Sequence, residues 1–137
     1  MLVETLGGGA TTGRPIAAAV VGGPSGSVVP PRDFDEPLIP RGRVNPGTGG
    51  IVALDDGAPV REAVRALLAF NARESCGKCT PCREGTARLV AMLDGPVDPQ
   101  RAAELSEVIQ LASLCGLGQA APFAVLSGLR EFPDSFK

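Results

Sequence analysis

The spacing of apolar residues changes partway along this 137-residue chain. Before residue 58 they come as short runs, "IAAAVVGG" from Ile16, "GSVVP" from Gly26 and "GGIVALDDG" from Gly49, each bounded by Gly, Pro or Asp. Runs of that length between turn residues predict short β-strands. From Pro59 the period becomes helical. Val60, Ala63, Val64, Leu67 and Leu68 fall at i, i+3, i+4, i+7 and i+8, a single apolar stripe that predicts a helix to about Asn71. A second helix is expected with Thr80 as its cap and Pro81 at its first position, carrying Leu89, Val90 and Leu93 until "DGP" stops it. Asp98 and Pro99 repeat that start signal, and Ala102, Leu105, Val108, Ile109 and Ala112 supply an apolar face ending near Leu114. Pro122 opens a short fourth helix with Val125, Leu126 and Leu129.

The expected fold class is therefore α+β: a small Gly/Pro-rich β module over residues 1–54, then a four-helix bundle over residues 55–137. Composition sharpens the boundary, since residues 1–50 hold eleven Gly and seven Pro. The alternative for that stretch is a Gly-rich arm without regular structure. A chain of this length holds one modest core or two small modules.

Charge and residue types remove several function classes. A formal net charge of -2 with no basic run leaves no electrostatic footprint for nucleic acid. The longest strongly apolar run, "IAAAVV", is far shorter than the ~20 residues a bilayer crossing needs. "MLVETLGGG" carries an acid where a secretory signal carries a base, so neither export nor membrane insertion is expected. Histidine, Trp and Tyr are absent, which removes the commonest general base and the best stacking platforms. Catalysis by this polypeptide alone is not expected.

The candidate chemistry lies in "ESCGKCTPCREG", residues 74–85, where Cys76, Cys79 and Cys82 are separated by two residues each; the fourth cysteine, Cys115, sits in "LCGLG". Gly77, Gly116 and Gly118 are expected to let these segments turn tightly. Three chemistries compete. A 4Fe-4S cube offers four irons that each want a thiolate, which suits a compact triplet plus one remote cysteine. Mononuclear zinc normally takes two local pairs, and the triplet supplies only one. Two disulfides would need an oxidising compartment. The cube fits best, with a four-cysteine zinc staple that scaffolds an assembly as the alternative. Arg73, Lys78, Arg83 and Arg88 outnumber Glu74 and Glu84 around the triplet, so cations and the helix start after Thr80 would stabilise added negative charge. Lys78, between two ligands, and Arg83 are the candidates for a supporting role. With a cysteine on every iron no iron stays open to substrate, and the expected work is electron transfer.

On these residues the chain resembles the C-terminal part of the flavin- and NADH-binding subunit shared by respiratory complex I, NAD-linked hydrogenases and NAD-linked formate dehydrogenases. "ESCGKCTPCREGT" is similar to that family's cluster signature, and "SLCGLGQAAPFAVLSGLREF" to the segment with its fourth ligand. The "GLGQ" form is nearer the hydrogenase and formate dehydrogenase branches. "VGGPSGSVVP" and "GTGGIVALDD" resemble the soluble-ligand-binding β-grasp module that precedes the cluster domain, here in an incomplete form. The resemblance implies one 4Fe-4S cluster on Cys76, Cys79, Cys82 and Cys115. It would relay single electrons between FMN and further clusters of an NADH-linked oxidoreductase. "LGGGATTGR" and "GGPSG" lack the strand, loop and helix context of a nucleotide fingerprint and read as turns. FMN and NADH are therefore expected on a partner domain or chain. Other implied partners are a thioredoxin-like 2Fe-2S subunit and a larger iron-sulfur subunit. The implied location is cytoplasmic, peripheral on the inner face of the membrane through the complex.

Overall fold

A computed structural model describes residues 2–137. Three short strands, β1 (Ile16–Val21), β2 (Ser27–Val29) and β3 (Ile51–Asp55), form an antiparallel sheet in the order β2-β1-β3. Ala19 stands opposite Val29 on one side and Ala53 on the other. The central strand is apolar at every position because both of its faces are covered. Ala18 and Val20 point to the helices, while Ala19 and Val21 join Val29, Val44 and Phe34 in a small second cluster. The edge strand β3 is open, with Val52 51% exposed.

Five α-helices follow: α1 (Val60–Arg73), α2 (Thr86–Met92), α3 (Pro99–Ala112), α4 (Gly116–Ala120) and α5 (Phe123–Glu131). A π-helical turn, Pro81–Gly85, leads into α2, and a 3-10 turn, Pro133–Phe136, closes the chain. Val64, Leu68, Leu89, Leu93, Ile109, Val125 and Phe136 bury against Ala18, Val20 and Val28 in one apolar core. Polar ties cross the sheet and helix layers. The Val28 amide donates to Ser127 Oγ at 2.8 Å, and Asn71 Nδ2 donates to the Pro24 carbonyl at 2.8 Å. Ser25 Oγ donates to Asn71 Oδ1 at 3.1 Å, so the buried Asn71 side chain is satisfied through both of its polar atoms. The fold is α+β. Among the described residues no helix is long and apolar enough to cross a membrane.

The four expected helices lie where the periodicity puts them, with differences at their ends. Asp98 caps α3 as expected, accepting from the amides of Gln100 and Arg101. Thr80 does not cap. It already has helical backbone angles and its side chain makes no capping bond, because the winding starts one residue earlier, with the Arg83 amide donating to the Cys79 carbonyl. α1 extends two residues past Asn71, to Arg73, and α3 stops at Ala112, short of Leu114. The face expected on α3 is wider than the one it buries. Ala102 and Ile109 are buried, but Val108 is 54% exposed and Ala112 is exposed as well. Ser106 takes a buried place between them, its hydroxyl donating to the Ala102 carbonyl at 2.6 Å. α4 was not expected from sequence, since five residues are too few for a periodic signal. In "LGGGATTGR", Leu6 ends a π-helical turn, Leu2–Leu6, and the residues from Gly7 on are turns and bends, as expected.

Candidate metal centre

Two segments carry the cysteines. The first leaves the end of α1 at Glu74. Ser75 Oγ accepts from the Gly77 amide at 3.3 Å. Gly77 has φ of +75°, a left-handed conformation that costs a side-chain-bearing residue about 1–2 kcal/mol. The Arg83 guanidinium donates to the Gly77 carbonyl, and the Arg83 amide to the Cys79 carbonyl at 3.0 Å. The loop is thus fastened to the π-helical turn at both Gly77 and Cys79. Cys82 sits inside that turn, only 4% exposed. Thr86 Oγ1 donates to its carbonyl at 2.6 Å, and Ser75 Oγ lies 3.3 Å from its sulfur.

The second segment runs from the end of α3 through α4. Cys115 is the residue before α4, in extended conformation. The Ser113 amide donates to the Ile109 carbonyl at 3.2 Å, Gln119 Nε2 donates to the Ser113 carbonyl at 3.1 Å, and the Gln119 amide donates to the Cys115 carbonyl at 3.1 Å. This closes a tight corner between α3 and α4.

The two segments face each other. A Cβ on Gly118 would stand 2.5 Å from Ser113 Oγ and 3.0 Å from Cys82 Cβ, so only glycine lets α4 lie against the π-helical turn. A Cβ on Gly85 would stand 2.6 Å from Ile109 Cγ1, so the same turn also packs closely on α3. The backbone amides of Leu114 and Cys82 both act on the Cys79 thiol and hold it below its ordinary value. Donors from both segments therefore converge on Cys79.

Of the residues singled out from sequence, Cys79 and Cys82 are brought against the stretch that carries Cys115. Cys76 stands on the exposed part of the loop, next to Ser75. Cys115 is exposed too, and all four cysteines are free. Among the described residues no three Cys, Asp or Glu side chains close on a point the size of one ion. The thiols are neighbours along two facing segments rather than an already closed set. Lys78 is exposed. Arg83 is engaged twice, by the Gly77 carbonyl and by Glu84 at 2.8 Å, so part of the charge expected from it is already offset within the loop. Gly116 and Gly118 are not at positive φ. Gly118 serves close packing, where a turn had been expected, and a Cβ on Gly116 would meet open space.

Sequence reasoning missed Ser75, Ser113, Gln119 and the packing role of Gly85 and Gly118. One signal was available: each cysteine stretch follows a helix end and is entered through a serine. Ser113 is the unusual one. Its side chain is buried, and among the described residues its Oγ is the buried side-chain oxygen left without any hydrogen-bond partner, sulfur included. Such an atom costs about 1–3 kcal/mol unless something accepts its proton.

These observations fit an all-sulfur site for a soft metal group: thiols on two facing segments, amide donors aimed at one of them, and an orphaned hydroxyl beside it. Residues 62–137 match the family described as the NADH-ubiquinone oxidoreductase-F iron-sulfur binding region. The chain is 34% identical to the NADP-reducing hydrogenase subunit HndC of Solidesulfovibrio fructosivorans, over 99% of this chain and 30% of that protein. It is 33% identical to the F subunit of the NADH-quinone oxidoreductase of Rickettsia rickettsii, over 96% of this chain and 34% of that one. It thus spans about a third of the length of these relatives. Among solved structures, an NAD+-reducing [NiFe]-hydrogenase in the H2-reduced state superposes with a TM-score of 0.79 at 31% identity, covering 92% of this chain and 24% of that one. By sequence and by fold the chain belongs to the NADH-ubiquinone oxidoreductase-F iron-sulfur binding family.

Proposed function

We propose that Cys76, Cys79, Cys82 and Cys115 together hold one 4Fe-4S cluster, and that the chain carries single electrons within an NADH-linked flavoprotein oxidoreductase. The observation that carries this reading is the meeting of the Cys79 and Cys82 turn with the Ser113 to Gly118 corner, inside a family defined by iron-sulfur binding. When bound, such a cluster supplies one-electron transfer, and four thiolate ligands leave no iron for substrate.

The chain's own residues do the rest. Ser75, Gly77 and Arg83 fix the path of the ligand loop. The amides of Leu114 and Cys82 offset negative charge on the Cys79 sulfur. Burial of Cys82 keeps water from its sulfur. Lys78 adds an exposed positive charge between two ligands, whereas Arg83 acts as a fastener of the loop.

Residues 1–54 form a β-grasp-like module in this reading, and residues 55–137 a cluster-binding unit built on four principal helices. FMN and NADH belong to a partner domain or chain. The neighbours are a thioredoxin-like 2Fe-2S subunit and a larger iron-sulfur subunit, in a complex lying peripherally on the cytoplasmic side of the membrane. The names of the relatives, a hydrogenase subunit and a quinone oxidoreductase subunit, support membership of such a complex.

Anaerobic purification followed by iron, sulfide and zinc analysis tests the assignment. The expected result is about four irons per chain with broad visible absorption; zinc without iron would instead establish the four-cysteine staple. In Cys115→Ser the full cluster should be lost or altered while far-UV circular dichroism keeps its helical signal. An unaltered cluster in that variant removes Cys115 from the ligand set.

A further inference from the structure

Resting on that cluster assignment, we infer that the Ser75 hydroxyl donates a hydrogen bond to the Cys82 sulfur and raises the reduction potential of the centre. Ser75 comes from the end of α1, and its oxygen already accepts the Gly77 amide at 3.3 Å. Its proton is then free to point along the 3.3 Å separation to Cys82 Sγ. In the metal-free chain either atom of that pair could donate, but a sulfur bound to iron has lost its proton, so the hydroxyl must be the donor.

The direction of the effect follows from charge. Reduction adds one electron and moves no proton, so the sulfurs become more negative while the Ser75 proton stays on oxygen. A donor therefore favours the reduced state more than the oxidised one. Removing it lowers the potential. The effect is that of one weak hydrogen bond in a buried setting, on the order of a threefold change in the ratio of reduced to oxidised centre at a fixed potential. At 59 mV per tenfold for one electron, this is about 28 mV.

The test is an EPR-monitored redox titration of the full chain carrying its cluster, comparing the parent with Ser75→Ala, Ser75→Gly and Ser106→Ala. Ser106 is the control. It is a buried serine on α3 whose hydroxyl is spent on the Ala102 carbonyl, so its loss removes the same atom with no sulfur involved. The midpoint should fall in Ser75→Ala and stay with the parent in Ser106→Ala. Should Ser75→Ala fail to load, Ser75→Gly carries the test. A cluster that loads normally and titrates with the parent in the Ser75 variants, or that shifts equally in Ser106→Ala, overturns the inference alone. A parent chain without a 4Fe-4S signal overturns the proposed function, and this inference with it.

Discussion

The sheet-and-helix core and the cysteine corner are built from the same chain by opposite means. In the core, Val20, Val28, Val64, Leu68, Leu89 and Phe136 exclude water by apolar contact, and the polar atoms that cross it are matched, as at Asn71 and Ser127. At the corner the close contacts are made by Gly85, Gly118, Ser113 and Cys82, residues with little apolar area. A buried hydroxyl is left over there, and two of the cysteines stand in solvent. The core has what it needs from its own side chains. The corner is shaped for something the chain does not itself supply. Folding stability should therefore reside in the first region and metal capture in the second, and the two should separate under mutation.

The strongest way to break that separation is to hollow the core. Leu68 is 0% exposed, on the buried stripe of α1. Leu68→Ala in the metal-free chain should cost about 2–5 kcal/mol in a urea unfolding titration. A loss below about 1 kcal/mol would mean that the helices are not held by this core.

A smaller effect on stability, with a larger one on metal, is expected at the corner. Gly118→Ala places a methyl within 2.5–3.0 Å of Ser113 and Cys82, and the α4 segment must back away from the π-helical turn. The expected cost is about 1–3 kcal/mol, measured by the same titration, together with loss of most of the iron captured on anaerobic loading. Full iron binding in this variant would show that the corner and the turn need not meet, and the division between the regions would lose its meaning.

How much of each region could be read in advance follows the same line. The apolar period placed α1, α2, α3 and α5, and the turn residues bracketed the three strands, because burying a stripe or a strand leaves a repeating trace in sequence. The continuous run "IAAAVV" even reflects coverage of β1 on both faces. Cysteine spacing singled out the four thiols, and the structure brings Cys79 and Cys82 against the Cys115 segment. What periodicity could not show were contacts made by the absence of a side chain or by one hydroxyl. Gly118 looked like a turn residue because glycine serves both purposes. Thr80 looked like a cap because its neighbour Pro81 suits a normal helix start, whereas the winding already begins at Cys79 and takes Thr80 in. Ser113 carried no sequence signal beyond its place two residues before a cysteine.

The smallest expected effect lies where the two layers of the core meet. Glu131, at the end of α5, pairs with Arg130 at 2.7 Å and with Arg32, which lies in the 3-10 turn after β2. Its side chain is 8% exposed, while those of the two arginines are 71% and 60% exposed. The hydrogen bond from Arg130, with the Arg32 charge, holds the Glu131 carboxyl below its ordinary value of 4.5 against the opposing push of burial. A carboxyl lowered in the folded state contributes stability that is present above its unfolded value and lost as pH falls through the lower folded one. Because both arginines are largely in water, the contribution should stay under about 1 kcal/mol. Glu131→Gln should be slightly less stable than the parent at pH 7, and the gap should close as pH falls below the ordinary value of 4.5. A gap that instead widens in acid would mean that burial, rather than the arginines, governs this carboxyl, and that the arginine pairs add nothing to the junction between sheet and helices.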